Sequence, residues 1–111
     1  MTSTTPEKFK LIFYTPPTSL PTIKAAIFAT GAGTYSKYTE CCFTTHGTGQ
    51  FRPSAEAKPH LGRPGDLAEV EEARCEILCV GREVTRQAVR ELKRTHPYEE
   101  VAYEVLKVED F

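Results

Sequence analysis

The sequence contains no tryptophan, one methionine and almost no net charge. Its 14 Lys and Arg residues are balanced by 15 Asp and Glu residues, which leaves a formal net charge of −1. A dedicated nucleic-acid surface usually shows as an excess or a dense stripe of basic residues, so we expect no nucleic-acid partner. The sequence also lacks an apolar run near the roughly 20 residues that span a bilayer, so we expect no membrane association.

Motifs typical of metal sites and of nucleophilic catalysis are missing as well. The sequence has no CxxC, HxH or HExxH spacing and no GxSxG elbow. Cys75 and Cys79 point to one side of a predicted strand, but at ordinary strand rise they lie about 13 Å apart, too far to share one metal ion. We therefore expect Cys41, Cys75 and Cys79 to be small core residues, Cys42 to meet solvent, a metal ion or a neighbouring subunit, and no cofactor to be needed.

The N-terminus lacks the basic segment followed by an apolar stretch that marks a secretory signal. Without such a signal, the four cysteines indicate reduced thiols in a reducing compartment. We predict a cytoplasmic location.

Hydrophobic periodicity predicts four strands and two helices in the order βαββαβ. The first helix is expected to be capped by Thr18 or Ser19 and to end at Gly31. The predicted strands cover residues 8–15, 38–45, 69–80 and 101–108, and the second helix covers 83–95. Right-handed crossovers then place both helices on one face of a four-stranded antiparallel sheet, the ferredoxin-like α+β fold.

The chain is predicted to form a flexible N-terminus at 1–7 and a single domain at 8–111. A long irregular loop is expected at 46–66, which contains four glycines and three prolines. A loop of this length is often functional, and its basic side chains and backbone amides offer an alternative use as an anion site. Those basic side chains are Arg52, Lys58, His60 and Arg63.

Two helices cover only one face of a sheet, so the other face must meet water or another subunit. The pattern assigns to this open face Glu40, Cys42, Thr44, Glu72, Arg74 and Glu76. The segment His96-Pro97-Tyr98-Glu99-Glu100 is expected either to form a rigid corner between helix and strand or to join Glu72 and Arg74 in a polar cluster at a subunit junction.

Several segments of the chain resemble one known domain. They are residues 31–43 (GAGTYSKYTECCF), 47–53 (GTGQFRP), 59–62 (PHLG), 69–76 (EVEEARCE) and 96–103 (HPYEEVAY). In this order they resemble the YqfO-type insert domain of the Nif-three-like family (Ngg-one-interacting factor three), over nearly the whole chain after Lys8. That insert is similar in fold to the trimeric CutA and PII proteins.

The resemblance has two departures. Full-length family members carry a di-metal core on both sides of the insert, and no segment here corresponds to it. The family's metal ligands and its hydrolase or GTP-cyclohydrolase labels are therefore not carried over. Val101 also stands where these relatives commonly have proline.

The resemblance implies a non-catalytic, oligomeric binding or regulatory module, with a trimer favoured and a small-molecule or protein partner. The expected ligand or interface residues are Arg52, Glu72, Arg74, His96, Tyr98, Glu99 and Glu100. One alternative is divalent-metal (copper) binding of the CutA type through Cys42, His46, His60 and His96. A second alternative is a hydrolase-type enzyme that uses Glu72, Arg74, His96 and Glu99.

Overall fold

A computed structural model describes residues 5–111 and contains the predicted strands and helices in the predicted order. The strands are β1 (Lys8–Thr15), β2 (Phe43–Phe51), β3 (Ala68–Val80) and β4 (Tyr103–Val108). The helices are α1 (Leu20–Phe28), preceded by a 3-10 turn at Pro17–Ser19, and α2 (Arg82–Thr95). Neither helix in residues 5–111 has the length and apolar character that crossing a membrane would require.

The four strands form one antiparallel sheet in the order β2-β3-β1-β4. Strand β1 is central, and three consecutive residues, Leu11, Ile12 and Phe13, are buried in it. Leu11 and Phe13 belong to the core on the helix side, whereas Ile12 lies on the other face between Glu76 and Glu104 and is still only 4% exposed. The ferredoxin-like α+β prediction is confirmed.

Both helices pack on one face of the sheet and on each other. Strand β3 turns Ala73, Cys75, Ile77 and Cys79 toward them, each with no exposed surface. The alternation of buried and partly exposed residues along β3 confirms its predicted faces. The core side chains are Phe9, Leu11, Phe13, Leu20, Ile23, Ile27, Ala32, Ala73, Cys75, Ile77, Cys79, Ala88 and Leu92.

The second strand differs from the prediction, because it runs from Phe43 to Phe51 instead of over residues 38–45. A tight turn occupies the earlier segment: Tyr35 and Tyr38 bridge each other, and Ser36 and Glu40 have positive φ angles. No ladder passes through residues in that conformation. The residue types alone suggested a strand, and the turn overrides that preference.

The shifted strand also corrects the predicted faces. Thr44 lies opposite Cys75 in the ladder, and directly paired residues point to the same side of a sheet. Thr44 is therefore on the helix side and not on the open face. Glu40 and Cys41 lie before the strand, and Cys41 is only partly buried, so its predicted core position is wrong. Cys42 is exposed as expected.

Strands β2 and β3 project beyond the helices as a two-stranded ribbon. Strand β1 pairs with β3 only from Ala73 to Val80, so residues 68–72 pair with β2 alone. We call residues 47–51 and 68–72 the ribbon. The irregular segment begins at residue 52, and not at 46, because Gly47 and Gly49 lie in regular pairing opposite Glu72 and Val70.

The chain ends and the start of α1 also differ in detail from the prediction. Residues 1–4 of the N-terminus predicted to be flexible lie outside the described residues, while Glu7 binds Arg82 (Oε1 to Nε, 2.7 Å). Ser19 occupies the N-cap of α1 without a side-chain hydrogen bond, so the predicted capping by Thr18 or Ser19 is not observed. The 3-10 turn leads into the helix instead. Strand β4 begins at Tyr103, two residues later than predicted.

Candidate functional site: a cleft at the base of the ribbon

A cleft of about 480 Å³ lies between the ribbon, the irregular segment and the corner that follows α2. This is within the size range of small-molecule sites. Its lining combines apolar side chains with a few polar and charged ones. The lining residues are Gln50, Phe51, Arg52, Pro53, Ser54, Ala57, Pro59, His60, Leu61, Glu72, Tyr98, Glu99, Glu100 and Ala102.

His96 fixes the corner that forms one wall of the cleft. The extended conformation that precedes a proline ends α2 at this residue (φ −72°, ψ 138°). Its Nε2 lies 2.6 Å from the carbonyl oxygen of Tyr14, and its Nδ1 accepts a hydrogen bond from the Tyr98 amide at 3.1 Å. These two contacts assign a neutral ring with the hydrogen on Nε2. Burial lowers the pKa of His96, although the Tyr14 carbonyl opposes that effect.

Tyr98 lies at the centre of a group of rings. Its ring centroid is 4.8 Å from that of His96, 6.2 Å from His60 and 6.3 Å from Phe51. The Tyr98 hydroxyl is buried and has no hydrogen-bond partner within residues 5–111. Burial, together with the negative charge of Glu72, raises the pKa of Tyr98 to about 12. The Glu72 carboxylate is therefore a close neighbour of this hydroxyl, although it accepts no well-directed hydrogen bond from it.

Glu72 belongs to the ribbon, and its side chain forms the floor of the cleft. Its side chain lies across Gly49 on the neighbouring strand, where a Cβ atom would collide with the carboxylate. In the described part of the chain this carboxylate has no ion-pair partner, and burial raises its pKa. The missing side chain at Gly49 therefore makes room for a carboxylate that has lost part of its hydration without gaining a cation.

Hydrogen bonds hold the irregular segment against the cleft. The Lys58 amide donates to Oε2 of Glu99 at 2.7 Å, which ties the segment to the His96 corner. The Arg52 guanidinium donates to the Gly65 carbonyl at 2.8 Å, and the Gly65 amide donates to the carbonyl of Pro53 at 2.7 Å. The segment thus has a defined path over the cleft.

The structure brings together most of the residues singled out from the sequence. Five of them line the cleft, namely Arg52, Glu72, Tyr98, Glu99 and Glu100. His96 stands behind this wall, where it supports Tyr98. Arg74 is apart from the cleft and binds Glu76 at 2.8 Å on the open sheet face.

Two residues of this site, Phe51 and Gly49, lie outside the set predicted from the sequence. They are absent from the predicted site because residues 47–51 fall within the predicted irregular loop. The alternation in Thr48-Gly49-Gln50-Phe51 was the available signal, but two glycines obscured it.

The alternative metal set is not gathered at one place. His60 and His96 adjoin Tyr98, whereas His46 lies in β2 opposite Ala73 and Cys42 lies before β2. Residues 5–111 contain no group of three or more His, Cys, Asp or Glu side chains that could hold a metal ion.

Three of the four side chains of the alternative enzyme hypothesis are occupied by structural contacts. Both ring nitrogens of His96 are bonded to the backbone, and Glu99 accepts the Lys58 amide. Arg74 lies outside the cleft and binds Glu76. Of the four, only Glu72 is left without such a partner, and a carboxylate alone has no nucleophile to activate.

Fold and cleft together define an α+β module with the ferredoxin-like topology of CutA and PII proteins. The solved structure of the divalent ion tolerance protein CutA1 from Ehrlichia chaffeensis matches with a TM-score of 0.70 at 11% identity, over 97% of this chain and 87% of that one. Bacillus subtilis GlnK in complex with ATP matches with a TM-score of 0.54 at 14% identity, over 96% of this chain and 85% of that one. At these identities the likeness shows the fold alone.

Closer similarity is to a segment of larger proteins. The GTP cyclohydrolase 1 type 2 homolog of Bacillus subtilis is 38% identical over 100 residues, which are 90% of this chain and 26% of that protein. The structure of a Bacillus cereus protein related to NIF3 matches with a TM-score of 0.84 and 30% identity, over 99% of this chain and 28% of that one. The chain thus spans about a quarter of the length of these relatives. No family model matches it.

Proposed function

We propose that this chain is a non-catalytic binding module that assembles into a homo-oligomer, with a trimer favoured, and holds a small ligand in clefts at the subunit junctions. It corresponds in this proposal to the CutA-like segment of NIF3-related proteins and acts in the cytoplasm. The observation that carries the proposal is the sheet face that has no helix on it.

Apolar side chains occupy this open face together with charged ones. The ladder places Phe43 beside Glu76, and Leu106 and Leu78 on either side of Lys10. Phe43 is 66% exposed and Leu106 is 52% exposed. Exposed apolar groups on a continuous sheet surface are typical of protein interfaces.

The edges of the sheet support the same proposal. Strand β2 is an edge strand of nine residues without a single buried side chain, and β4 is the opposite edge. Unpaired edges expose backbone donors and acceptors that can pair with another chain. The ribbon carries one of these edges past the helices, next to the cleft, so a second subunit on β2 would border the cleft.

Light scattering during size-exclusion chromatography tests the assembly. At micromolar concentration the chain is expected to have the mass of a multiple of its 12.4 kDa, and three copies are favoured. Phe43→Asp places a charge on the open face and should shift the mass to that of one copy. Tyr35→Asp is the matched control, because Tyr35 is also exposed (59%) but lies in the turn before β2. A single-copy mass for the unaltered chain would refute the proposal.

The catalytic activity in the names of the longer relatives is not proposed for this chain. Those names describe proteins of which the matched segment is about a quarter, and the hydrolase candidates Glu72, Arg74, His96 and Glu99 do not converge on one point. Incubation of the purified chain with GTP should give no turnover above that of buffer. A GTP-dependent product that the substitution Glu72→Gln abolishes would reverse this conclusion.

A further inference from the structure

The charges around the cleft are unequal. Glu72, Glu99 and Glu100 line it, and Arg52 is the single arginine or lysine among its lining residues. The Arg52 guanidinium already donates to the Gly65 carbonyl. The carboxylates are therefore only partly balanced, which favours a positively charged ligand.

The rings of the cleft suit the same kind of ligand. The ring centroids of Phe51 and His60 lie 6.3 Å and 6.2 Å from that of Tyr98. An aromatic ring attracts a cation over its face, and such pairs are strengthened where water is partly excluded. The cation–π contacts found in residues 5–111 are those of Arg82 with Phe9 and of Lys93 with Tyr103, both outside the cleft.

Two polar groups in the cleft, the Tyr98 hydroxyl and the Glu72 carboxylate, are close neighbours, and no cation stands beside them in residues 5–111. The Tyr98 hydroxyl is buried and makes no hydrogen bond, and the Glu72 carboxylate pairs with no cation. A buried polar group that makes no hydrogen bond is unfavourable. An ammonium group has three donors and no acceptor, so it could donate to the carboxylate and to the hydroxyl oxygen together.

We infer that the cleft binds a small organic amine, with the ammonium group between Glu72 and Tyr98 and an apolar body against Phe51. This inference rests on the proposed function, because it takes the cleft to be the ligand site. The charge of the ligand is a separate question, because a ligand site in this cleft could equally select an anion.

Calorimetric titration with two probes of matching shape and opposite charge tests the inference. Phenethylamine is the cation and 3-phenylpropionate is the anion, and both are titrated near pH 7 in phosphate buffer, which contains no competing amine. Phenethylamine should bind at least about tenfold more tightly, as expected for an ion pair with ring contacts in a partly dry site. Tyr98 ring signals in the NMR spectrum should shift during the same titration.

Substitutions locate the effect. Glu72→Gln should reduce phenethylamine affinity by about tenfold and remove the preference over the anion. Glu100→Gln changes an exposed lining carboxylate without disturbing the core and should reduce the affinity more weakly. Glu69→Gln is the matched control, because Glu69 is exposed on the same strand and does not line the cleft.

The outcomes distinguish a failure of the amine inference from a failure of the proposed ligand site. Equal or tighter binding of 3-phenylpropionate would overturn the amine inference and leave the cleft as a ligand site. Phenethylamine binding that Glu72→Gln and Glu100→Gln leave unchanged would place the amine elsewhere and overturn the inference as well. No heat and no Tyr98 shift with either probe, in a sample whose oligomer is intact, would refute the ligand site itself.

Discussion

His96 should make the stability of this protein depend on pH in a defined window. Only 7% of its surface is exposed, and its two ring nitrogens hold the Tyr14 carbonyl and the Tyr98 amide. Protonation adds a hydrogen to Nδ1, which then faces the hydrogen of the Tyr98 amide. One hydrogen bond is lost and two donors oppose each other, so the neutral ring is favoured in the folded state.

The direction of the effect follows from linkage. Burial lowers the pKa of His96 in the folded state, relative to about 6.5 in the unfolded chain. The stabilising contribution is therefore complete above about pH 6.5. It declines as the pH falls below that value toward the folded pKa, and each unit between the two pKa values corresponds to about 1.4 kcal/mol.

Urea denaturation at a series of pH values between about 7.5 and 5 measures the effect. His96→Gln retains an amide donor near the Tyr14 carbonyl but does not titrate in this range. We expect it to lower the free energy of unfolding at neutral pH by about 1–3 kcal/mol, since the Tyr98 amide loses its acceptor. The difference from the unaltered protein should shrink as the pH falls.

Glu72 and His60 are the titratable neighbours of this corner, and the comparison cancels much of their contribution. Burial raises the pKa of Glu72, so its contribution to stability has the opposite sign: it is complete below the ordinary pKa and lost as the pH rises. His46→Gln is a control, because His46 is exposed in β2. A difference between the unaltered protein and His96→Gln that is constant with pH would show that protonation of His96 does not destabilise the fold.

Three further predictions concern the backbone, the thiols and the cleft. Gly33→Ala should lower the free energy of unfolding by about 1–3 kcal/mol more than Gly31→Ala in urea denaturation. Both glycines have positive φ, but only at Gly33 would a Cβ atom collide with its surroundings. Equal losses for the two variants would contradict this prediction. Cys42 should react with a thiol reagent in the native protein, whereas Cys75 should react only after unfolding, because burial raises the pKa of Cys75 to about 12. Equal reaction rates, measured by mass spectrometry, would contradict the fold around Cys75. Tyr98→Phe should raise the free energy of unfolding by about 1 kcal/mol without ligand, because it removes a buried hydroxyl that makes no hydrogen bond. A lower free energy of unfolding for this variant would show that the hydroxyl is hydrogen-bonded in solution.

The parts of the fold that the sequence predicts are those with strong periodicity. Strand β3 alternates over its length, and α2 repeats apolar residues at Val84, Ala88 and Leu92, so both were placed within one residue of their ends. Strand β2 was misplaced by several residues. Gly47 and Gly49 look like turn residues, yet pairing with β3 keeps them extended, and that pairing is a long-range effect that a local pattern does not contain.

The candidate site shows the same difference between features that the local sequence encodes and features that depend on long-range contacts. The corner at His96 and Tyr98 was singled out because a proline after a helix restricts the backbone locally. The approach of Phe51 and His60 to the Tyr98 ring depends on how the irregular segment folds back, and no spacing in the sequence encodes that distance. The tautomer of His96 likewise depends on its contact with Tyr14, which is 82 residues away in the chain.

The positions of the strand ends give a last prediction about how this module fits into longer chains. Lys8 at the start of β1 lies directly opposite Val108 at the end of β4, and such antiparallel neighbours are about 5 Å apart. The other end of β1 pairs with β3 near Ala73, on the side of the ribbon and the cleft. A longer protein could thus lead into and out of the module at adjacent points without covering the cleft.

A circular permutant tests this arrangement. Residue 108 is joined to residue 8 by a short glycine linker, and new ends are opened in the exposed turn between Lys37 and Tyr38. Because neighbouring ends make permutation tolerable, the permutant should retain the far-ultraviolet circular dichroism spectrum and oligomeric mass of the original, and lose no more than about 2 kcal/mol of unfolding free energy. A permutant with the same linker but opened between Arg63 and Pro64 should keep the fold and lose the phenethylamine response. If neither permutant folds, β1 and β4 are not held side by side in the way that the register indicates.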